Sequence, residues 1–254
     1  MKRFHLIFIL VLVTAGGYFA RGQSEAVADT TPENVLLEKQ WCIGAMLHTN
    51  GWGLKFRKGR NVTVLRQFMW EFEFSTYKSP KEIRSINPNY SDSRTFIYGK
   101  LNYVWFLRGG LGQQHILNRK PYWGGVQLSW LYYGGFSLAV TKPVYLYIIY
   151  KRDGYPDQFR EEKYNPNTQQ IYDIFSRGSF LSGFNQLGFH PGVYGKTALD
   201  FEFGTKNRLI SALEAGITLD YSPIPIAIMA YNPRQSFFLT LYVSFMFGKR
   251  YNKY

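Results

Sequence analysis

The sequence is poor in the residues from which most catalytic and metal sites are built. Its 254 residues include a single cysteine, Cys42, and four histidines that lie far apart, namely His5, His48, His115 and His190. One thiol cannot form an internal disulfide, and one cysteine without clustered histidines does not make a zinc site. No nucleotide-binding loop or nucleophile elbow is present. We therefore predict no catalytic, cofactor-binding or metal-binding residues.

Long hydrophobic runs are also scarce, and the strongest one lies at the N-terminus. Leu6–Val13 is apolar throughout, but it is far shorter than the ~20 residues that a membrane-spanning helix needs. Lys2 and Arg3 precede it, and Ala20-Arg21-Gly22 follows with small residues. This pattern predicts a secretory signal peptide over residues 1–22, with cleavage near Gln23. We expect residues 23–40 to form a flexible N-terminal segment.

Acidic residues are few compared with basic ones, which gives the chain a formal net charge of +13. Removing Lys2, Arg3 and Arg21 with the signal peptide leaves 13 − 3 = +10. A basic surface suits phosphate-rich partners. Because an exported protein does not meet nucleic acid, we expect outer-membrane lipids and lipopolysaccharide as partners instead. No cofactor is predicted.

Alternation of apolar and polar residues dominates the chain from Trp41 onward, and 19% of all residues are aromatic. In residues 236–247 every second residue, from Phe237 to Phe247, is apolar, whereas the other face is mixed. Such alternation predicts strands with one apolar face, and abundant aromatic residues suit the membrane interface. Ten candidate strands can be counted, at 41–48, 52–57, 62–77, 95–108, 111–117, 123–140, 144–150, 194–203, 209–221 and 236–247.

The lengths of the connections agree with a membrane barrel. If residue 41 lies on the periplasmic side, the long loops 78–94 and 151–192 fall on one side. The short turns at 58–61, 109–110, 141–143 and 204–207 then fall on the other side, as in outer-membrane barrels. We therefore predict an all-β fold, a transmembrane antiparallel up-and-down β-barrel over residues 41–254, with about ten strands. Eight strands are the alternative, if one hairpin is miscounted.

Several polar residues lie on the predicted inward faces of these strands. They are Glu71, Glu73, Lys100, Asn102 and Arg108. Unpaired charges inside a narrow barrel are costly, so we expect these residues to pair with one another. The interior of a barrel this small is largely filled by side chains. At the C-terminus, the aromatic residues Phe245 and Phe247 are the predicted signal for barrel insertion.

Several stretches resemble a family of small outer-membrane β-barrels of Bacteroidota. These stretches are PKEIRSINPNY (80–90), YGKLN (98–102), RGGLGQQ (108–114), KPVYL (142–146), PGVYGK (191–196) and the C-terminal FMFGKRY. The resemblance implies an outer-membrane barrel without a catalytic motif. It also implies an accessory subunit of an envelope machine, such as the β-barrel assembly machine or the type IX secretion apparatus.

Three functions are compatible with this sequence. The first is a non-enzymatic outer-membrane barrel that acts as a structural or accessory subunit of an outer-membrane protein assembly or secretion complex. Its partners would be other outer-membrane or periplasmic proteins. The second is a narrow channel for small solutes. The third is a lipid-modifying outer-membrane enzyme, which would need His48 or His190 beside a serine and an acid.

Overall fold

The structure is a computed structural model, and it describes residues 39–90, 92–119, 125–151, 157–203 and 208–252. Within these ranges the regular structure consists of strands and two short 3-10 helices, Ile171–Asp173 and Phe184–Gln186. The strands are β1 (Lys39–His48), β2 (Gly51–Asn61), β3 (Arg66–Tyr77), β4 (Arg84–Ser85), β5 (Phe96–Ile97), β6 (Asn102–Asn118), β7 (Gln127–Pro143), β8 (Tyr145–Tyr150), β9 (Gln158–Lys163), β10 (Ile174–Arg177), β11 (Gly188–Phe203), β12 (Leu209–Ile226) and β13 (Gln235–Tyr251). No helix among the described residues is long and apolar enough to cross a membrane.

Eight of these strands close into an antiparallel barrel in the order β1-β13-β12-β11-β7-β6-β3-β2. Each strand pairs with its predecessor among the eight, and β1 closes the ring by pairing with β13, with Ala45 opposite Phe245. Closure leaves the barrel with no unpaired strand edge. The predicted all-β, antiparallel up-and-down barrel is therefore confirmed, with the alternative count of eight strands.

The outer face of the barrel is apolar and the inner face is largely polar. On β13, the outward side chains from Phe237 to Phe247 are 44–64% exposed, whereas the alternating Thr240, Tyr242 and Ser244 are buried. A barrel in water would place its apolar residues on the inside. Apolar side chains on the outside and polar side chains on the inside are the arrangement that lipid requires of a spanning barrel.

The count of ten strands was wrong for two reasons: paired glycines were interpreted as a turn, and segment 144–150 was counted in the barrel although it lies in a separate sheet. Gly109 and Gly110 lie inside β6, where Gly110 is opposite Gly135 of β7. A Cβ atom at Gly110 would lie 2.5 Å from the Tyr194 hydroxyl oxygen, and one at Gly135 would lie 2.3 Å from the carbonyl oxygen of Gly109. These glycines make room for close packing within one long strand. The segments 95–108 and 111–117 are therefore not two barrel strands.

Two predicted turns also belong to strands. Residues 58–61 continue β2, and the turn to β3 lies at 62–65. Lys58 and Arg60 are exposed, and the intervening Gly59 is buried, so the alternation of β2 continues through this charged stretch. Residues 141–143 likewise complete β7, which ends at Pro143.

The second long connection begins and ends earlier in the chain than expected, and it contains strands. Segment 144–150 leaves the barrel as β8, which pairs with β9 and β10 in a separate three-stranded sheet. At the other end of this connection, β11 begins at Gly188, so His190 belongs to the barrel wall and not to a loop. Residues 84–85 and 96–97, in the first long connection, form a two-stranded sheet of β4 and β5. We call these two small sheets the loop platform.

Both long connections, 78–101 and 144–187, leave the barrel at the same end, which we call the loop end. The turn at 62–65 lies at the opposite end, the turn end, where β6 and β11 end and β7 and β12 begin. The predicted signal peptide and residues 23–38 lie outside the described residues. Lys39 and Gln40, which were assigned to a flexible segment, are the first residues of β1.

A charge placed on the outer face tests the orientation of this barrel. Leu241 lies at the centre of the apolar run of β13 and is 51% exposed. We expect Leu241→Arg to lower the free energy of unfolding in lipid vesicles by about 2–4 kcal/mol, because a charge at this depth contacts hydrocarbon. The measurement is urea unfolding followed by gel migration with and without heating. Leu241→Ala is the control, and equal stability of the two variants would contradict the orientation.

Candidate functional site

The centre of the barrel is filled by charged side chains from five strands. The set consists of Lys55 and Arg57 of β2, Glu71 and Glu73 of β3, Arg108 of β6, Lys196 of β11, and Glu214 and Asp220 of β12. All eight are buried. Four carry a positive charge and four a negative charge, so the set is formally neutral. We call these eight residues the lumen network.

One half of the lumen network is centred on Glu214. Its carboxylate accepts hydrogen bonds from Lys55 Nζ at 2.9 Å and from Arg57 Nη2 at 2.6 Å. The Tyr242 hydroxyl donates to the same carboxylate at 2.5 Å. Arg57 Nη2 also donates to Glu71 Oε2 at 2.8 Å, which links β12 to β3 across the lumen. Glu214 therefore has partners for both oxygens, as a buried carboxylate needs.

The other half is centred on Lys196 and Arg108. Lys196 Nζ donates to Glu71 Oε1 at 2.5 Å and to Glu73 Oε2 at 2.9 Å. Arg108 donates to Glu73 and binds Asp220 through two parallel hydrogen bonds of 2.8 Å, from Nε and Nη2. Such bidentate pairs are among the stronger charge-assisted contacts. The ion pairs thus form one continuous chain from Lys55 to Asp220.

Aromatic rings fill the space between these charges. The ammonium groups of Lys55 and Lys196 lie 4.7 Å and 4.9 Å from the centroid of the Tyr242 ring. The guanidinium of Arg57 lies 5.1 Å from the Tyr133 ring. These distances are within the range of cation–π attraction. The rings occupy volume that would otherwise hold water, so the lumen is packed at its centre.

An apolar layer closes the barrel above this network, at the loop end. The rings of Tyr77, Phe106 and Phe238 contact one another edge to face, with centroids 5.2–6.0 Å apart. The remaining buried side chains of this layer are Val104, Ala139, Ile226, Ile228 and Met229. Because this layer is apolar, it opposes the passage of water and ions.

Backbone hydrogen bonds hold the cover of this layer in place. The connection between β12 and β13 folds over the barrel mouth, and the backbone N–H of Leu101 donates to the Ile228 carbonyl at 2.9 Å. The N–H of Ala230 donates to the Gly99 carbonyl at 2.7 Å. The cover is therefore fixed to the segment that leads into β6.

The turn end carries a smaller polar cluster. Arg250 forms an ion pair with Glu202, and its Nε donates to Gln40 Oε1 at 3.3 Å. Gln40 in turn donates to Gln67 Oε1 at 2.6 Å. The cavity beside this cluster has a volume of about 10 Å³, room for about one water molecule. Little open space thus remains beside this cluster.

The structure brings three of the five predicted interior residues into one network. Glu71, Glu73 and Arg108 lie in the lumen network, where Arg108 pairs with Glu73. Lys100 and Asn102 lie elsewhere, because the barrel part of this strand begins at Asn102 and not at residue 95. Lys100 precedes β6 and donates to Glu82 Oε1 at 2.7 Å. Asn102 lies at the rim and donates to the Ala227 carbonyl at 2.7 Å.

Sequence reasoning missed five members of the lumen network, although a signal for them was present. Lys55 and Arg57 alternate with the apolar residues of β2, so their parity already placed them on the inner face. The others are Lys196, Glu214 and Asp220, which alternate in the same way on β11 and β12. Their alternation with apolar residues could have identified them as inward-facing. Which of them pair with one another is seen only in the closed barrel.

The histidines nominated for lipid chemistry have other partners. His48 Nδ1 accepts a hydrogen bond from the Asn50 backbone N–H at 3.3 Å, and His190 Nε2 lies 3.2 Å from Thr141 Oγ1. Among the hydrogen bonds of the described residues, neither histidine contacts a serine. His115 stacks on Tyr132. Nor do the described residues contain a group of three potential metal ligands.

Phe245 and Phe247, the predicted insertion signal, lie on the outer face of β13 near the turn end. Their rings are stacked with centroids 6.1 Å apart, and the side chains are 44% and 56% exposed. They are therefore accessible from outside the barrel.

Comparison with known proteins finds likeness only among solved structures. No protein-family model matches the chain, and no curated protein matches it. The structure is similar to that of Neisserial surface protein A, with a TM-score of 0.40 and 9% identity over 84% of this chain and 96% of that one. It is also similar to Ail, the attachment invasion locus protein of Yersinia pestis, with a TM-score of 0.37 and 10% identity over 84% and 97%. Values this low carry no conclusion about function.

Removing one charge from the lumen network should be strongly destabilising. In Glu214→Gln the ammonium of Lys55 and the guanidinium of Arg57 lose a buried counter-charge, so we expect the free energy of unfolding to fall by about 3–5 kcal/mol. The measurement is equilibrium urea unfolding of the folded protein in detergent.

The control makes the same chemical change outside the lumen. Glu162 accepts a hydrogen bond from the Tyr150 hydroxyl on the loop platform. We expect Glu162→Gln to change stability by less than about 1 kcal/mol. If both variants unfold at the same urea concentration, the network is not a buried ionic core.

Proposed function

We propose that this chain is a non-enzymatic, non-conducting outer-membrane β-barrel that acts as a structural or accessory subunit of a larger envelope complex. The observation that carries the proposal is the filled lumen. The barrel mouth is covered by the apolar layer around Phe106 and Phe238, and the lumen network lies beneath it. A barrel filled in this way acts through its outer surface and its ends.

The outer membrane is the location that the surface supports. A closed barrel satisfies its backbone hydrogen bonds internally, which is the condition for crossing lipid with strands. The outward residues of β13 alone expose three phenylalanines and three aliphatic residues. Together with the predicted signal peptide, this surface favours export and insertion, with outer-membrane lipids and lipopolysaccharide as neighbours. We further propose Phe245 and Phe247 as the signal for that insertion.

The loop platform is the part of the structure that favours a protein partner. Its two long connections are joined, because Asn87 Nδ2 donates to the carbonyls of Tyr172 and Ile174 at 3.0 Å and 2.8 Å. Next to these joined segments, Ile83, Ile86 and Tyr172 are 73%, 55% and 60% exposed. Large apolar side chains in water are typical of interaction surfaces. They belong to the long connections and not to the strands of the barrel wall.

The kind of complex follows from the resemblance to small Bacteroidota outer-membrane barrels. This resemblance implies an accessory subunit of the β-barrel assembly machine or of the type IX secretion apparatus. A filled barrel suits such a role, because it fixes a binding platform at the membrane without opening a leak. A lipid-modifying enzyme has less support, because the bonds of His48 and His190 involve no serine among the described residues.

The first test is conductance. We expect the purified protein in planar bilayers to show no steady open level, because both the apolar layer and the lumen network obstruct the path. Protease protection of the same protein in vesicles verifies that it has inserted. A reproducible, steady conductance from inserted protein would support the channel hypothesis and contradict the proposal.

The second test is the assembly state in mild detergent. The tagged chain, extracted from native outer membranes, should migrate in a complex larger than the monomer. We expect Ile86→Asp combined with Tyr172→Asp to release the partner, because both changes place charge in the exposed patch of the loop platform. Val64→Asp is the control, since Val64 is exposed at the turn end.

The tagged partner must also retrieve the chain in the reciprocal experiment. Migration of the wild-type chain alone would contradict the subunit role. Equal loss of the partner from the platform variant and from Val64→Asp would contradict the assignment of the surface.

A further inference from the structure

A cavity of about 450 Å³ lies at the loop end, between the barrel rim and the loop platform. Its walls come from segments that are distant in sequence. The first connection supplies Ser79, Glu82 and Arg84, the start of β6 supplies Tyr103, and β8 supplies Leu146. Cavities of about 300–1,000 Å³ are typical of small-molecule sites. The size of this one suits a ligand of about one sugar unit with its substituents.

Positive charge dominates the lining of this cavity. Four of its side chains are cationic, namely Lys78, Arg84, Lys100 and Arg177, and one, Glu82, is acidic. The Glu82 carboxylate already has partners, because its Oε1 accepts hydrogen bonds from Lys100 Nζ at 2.7 Å and from the Ser79 backbone N–H at 3.0 Å. Within the described residues no ion pair engages Lys78, Arg84 or Arg177. Four cationic side chains and one acidic side chain give the lining a net charge of 4 − 1 = +3.

A fifth cation lies close to this group. Lys142 is buried, and its Nζ donates to the Phe180 carbonyl. The Tyr103 ring, which lines the cavity, has Lys100 Nζ at 4.3 Å and Lys142 Nζ at 5.4 Å from its centroid. Two ammonium groups beside one ring add to the positive potential of the wall. Their charges are partly desolvated, so water screens them less than it screens surface lysines.

Additional negative charge near Lys100 would be electrostatically favourable. Burial lowers the pKa of the Lys100 ammonium from its ordinary value, the Glu82 carboxylate opposes that change, and the charge of Lys78 lowers the pKa further. An anion bound nearby would stabilise the ammonium form. Glu82, the one acidic residue in the cavity lining, thus does not neutralise the cationic side chains around it.

The shape and the chemistry of the lining together define the ligand. Arginine side chains bind phosphate and sulfate groups through two parallel hydrogen bonds, and Arg84 and Arg177 are exposed and available for this. The half-buried Ile97 and Tyr103 add apolar surface to the lining. A free phosphate ion would leave that surface in water, whereas a sugar ring would cover it.

We propose that this cavity binds a saccharide that carries a phosphate or sulfate group. The oxyanion contacts Arg84, Arg177 and Lys78, and the sugar ring lies against Tyr103 and Ile97. The site is independent of the subunit role, because it needs only the folded loop end. The same chemistry is found in soluble sugar phosphates and in the phosphorylated sugars of a lipid headgroup.

The test is calorimetric titration of the full-length protein, folded in a neutral detergent, with glucose 6-phosphate, glucose 6-sulfate and glucose. We expect saturable binding of the two charged sugars and none of glucose. Arg84→Gln combined with Arg177→Gln should weaken binding about tenfold or more, because two charge-assisted contacts are lost. Arg160→Gln is the matched control, since Arg160 is exposed on β9 beside Tyr150 and lies outside the cavity lining.

Heat-dependent gel migration confirms that every variant is folded. Absence of saturable binding at millimolar sugar phosphate would overturn the proposal, and so would equal affinity of the double variant and Arg160→Gln. Binding that disappears equally for wild type and double variant at physiological salt would also overturn it, as unspecific charge attraction. Competition by lipopolysaccharide micelles assigns the site to a membrane lipid headgroup, and lack of competition assigns it to a soluble saccharide; either result supports the site.

Discussion

Pairing of charge inside the barrel is the constraint on which the rest of this structure depends. A barrel that turns its apolar residues to lipid must turn the alternating residues inward, and here eight of the charged ones form the lumen network. Four cations and four anions match one another, and Glu71 joins the two halves by accepting from both Arg57 and Lys196. Removing one partner would leave a buried charge uncompensated, although replacing a whole pair by apolar residues is often neutral. The net stability that the network adds is therefore small compared with the cost of breaking any one of its pairs.

Because the lumen is filled, our proposals place function on the outer surface and at the ends of the barrel. The inner path is occupied by charged and aromatic side chains, and the mouth is covered by the connection that carries Ile228. The ordered parts beyond the wall are the two small sheets of the loop platform, held together through Asn87. An apolar exposed patch and a basic cavity lie on this same end. Both of our proposals, a protein partner and an anionic saccharide ligand, therefore concern this one end of the barrel.

The fold could be predicted from the sequence because alternation is local, whereas closure and register are not. The faces of β3 and β13 followed from parity alone. Gly109 and Gly110 were interpreted as a turn because their role depends on Tyr194 and Gly135, which are distant in sequence. The segment of β8 alternates like a barrel strand, yet it pairs with β9 and β10 outside the wall. Lys100 was assigned to the lumen because the start of β6 is set by its pairing with β7, which local pattern does not encode.

The most direct test of the paired lumen is a double-mutant cycle on Arg108 and Asp220, using Arg108→Met, Asp220→Leu and the double variant. Glu73 keeps Lys196 as a partner when Arg108 is replaced, so the cycle isolates one bidentate pair. The free energy of unfolding in vesicles gives the coupling energy. A packed ionic lumen predicts a coupling of about 2 kcal/mol or more, within the range for residues of one network. A coupling below about 0.5 kcal/mol, as for pairs exposed to water, would contradict it.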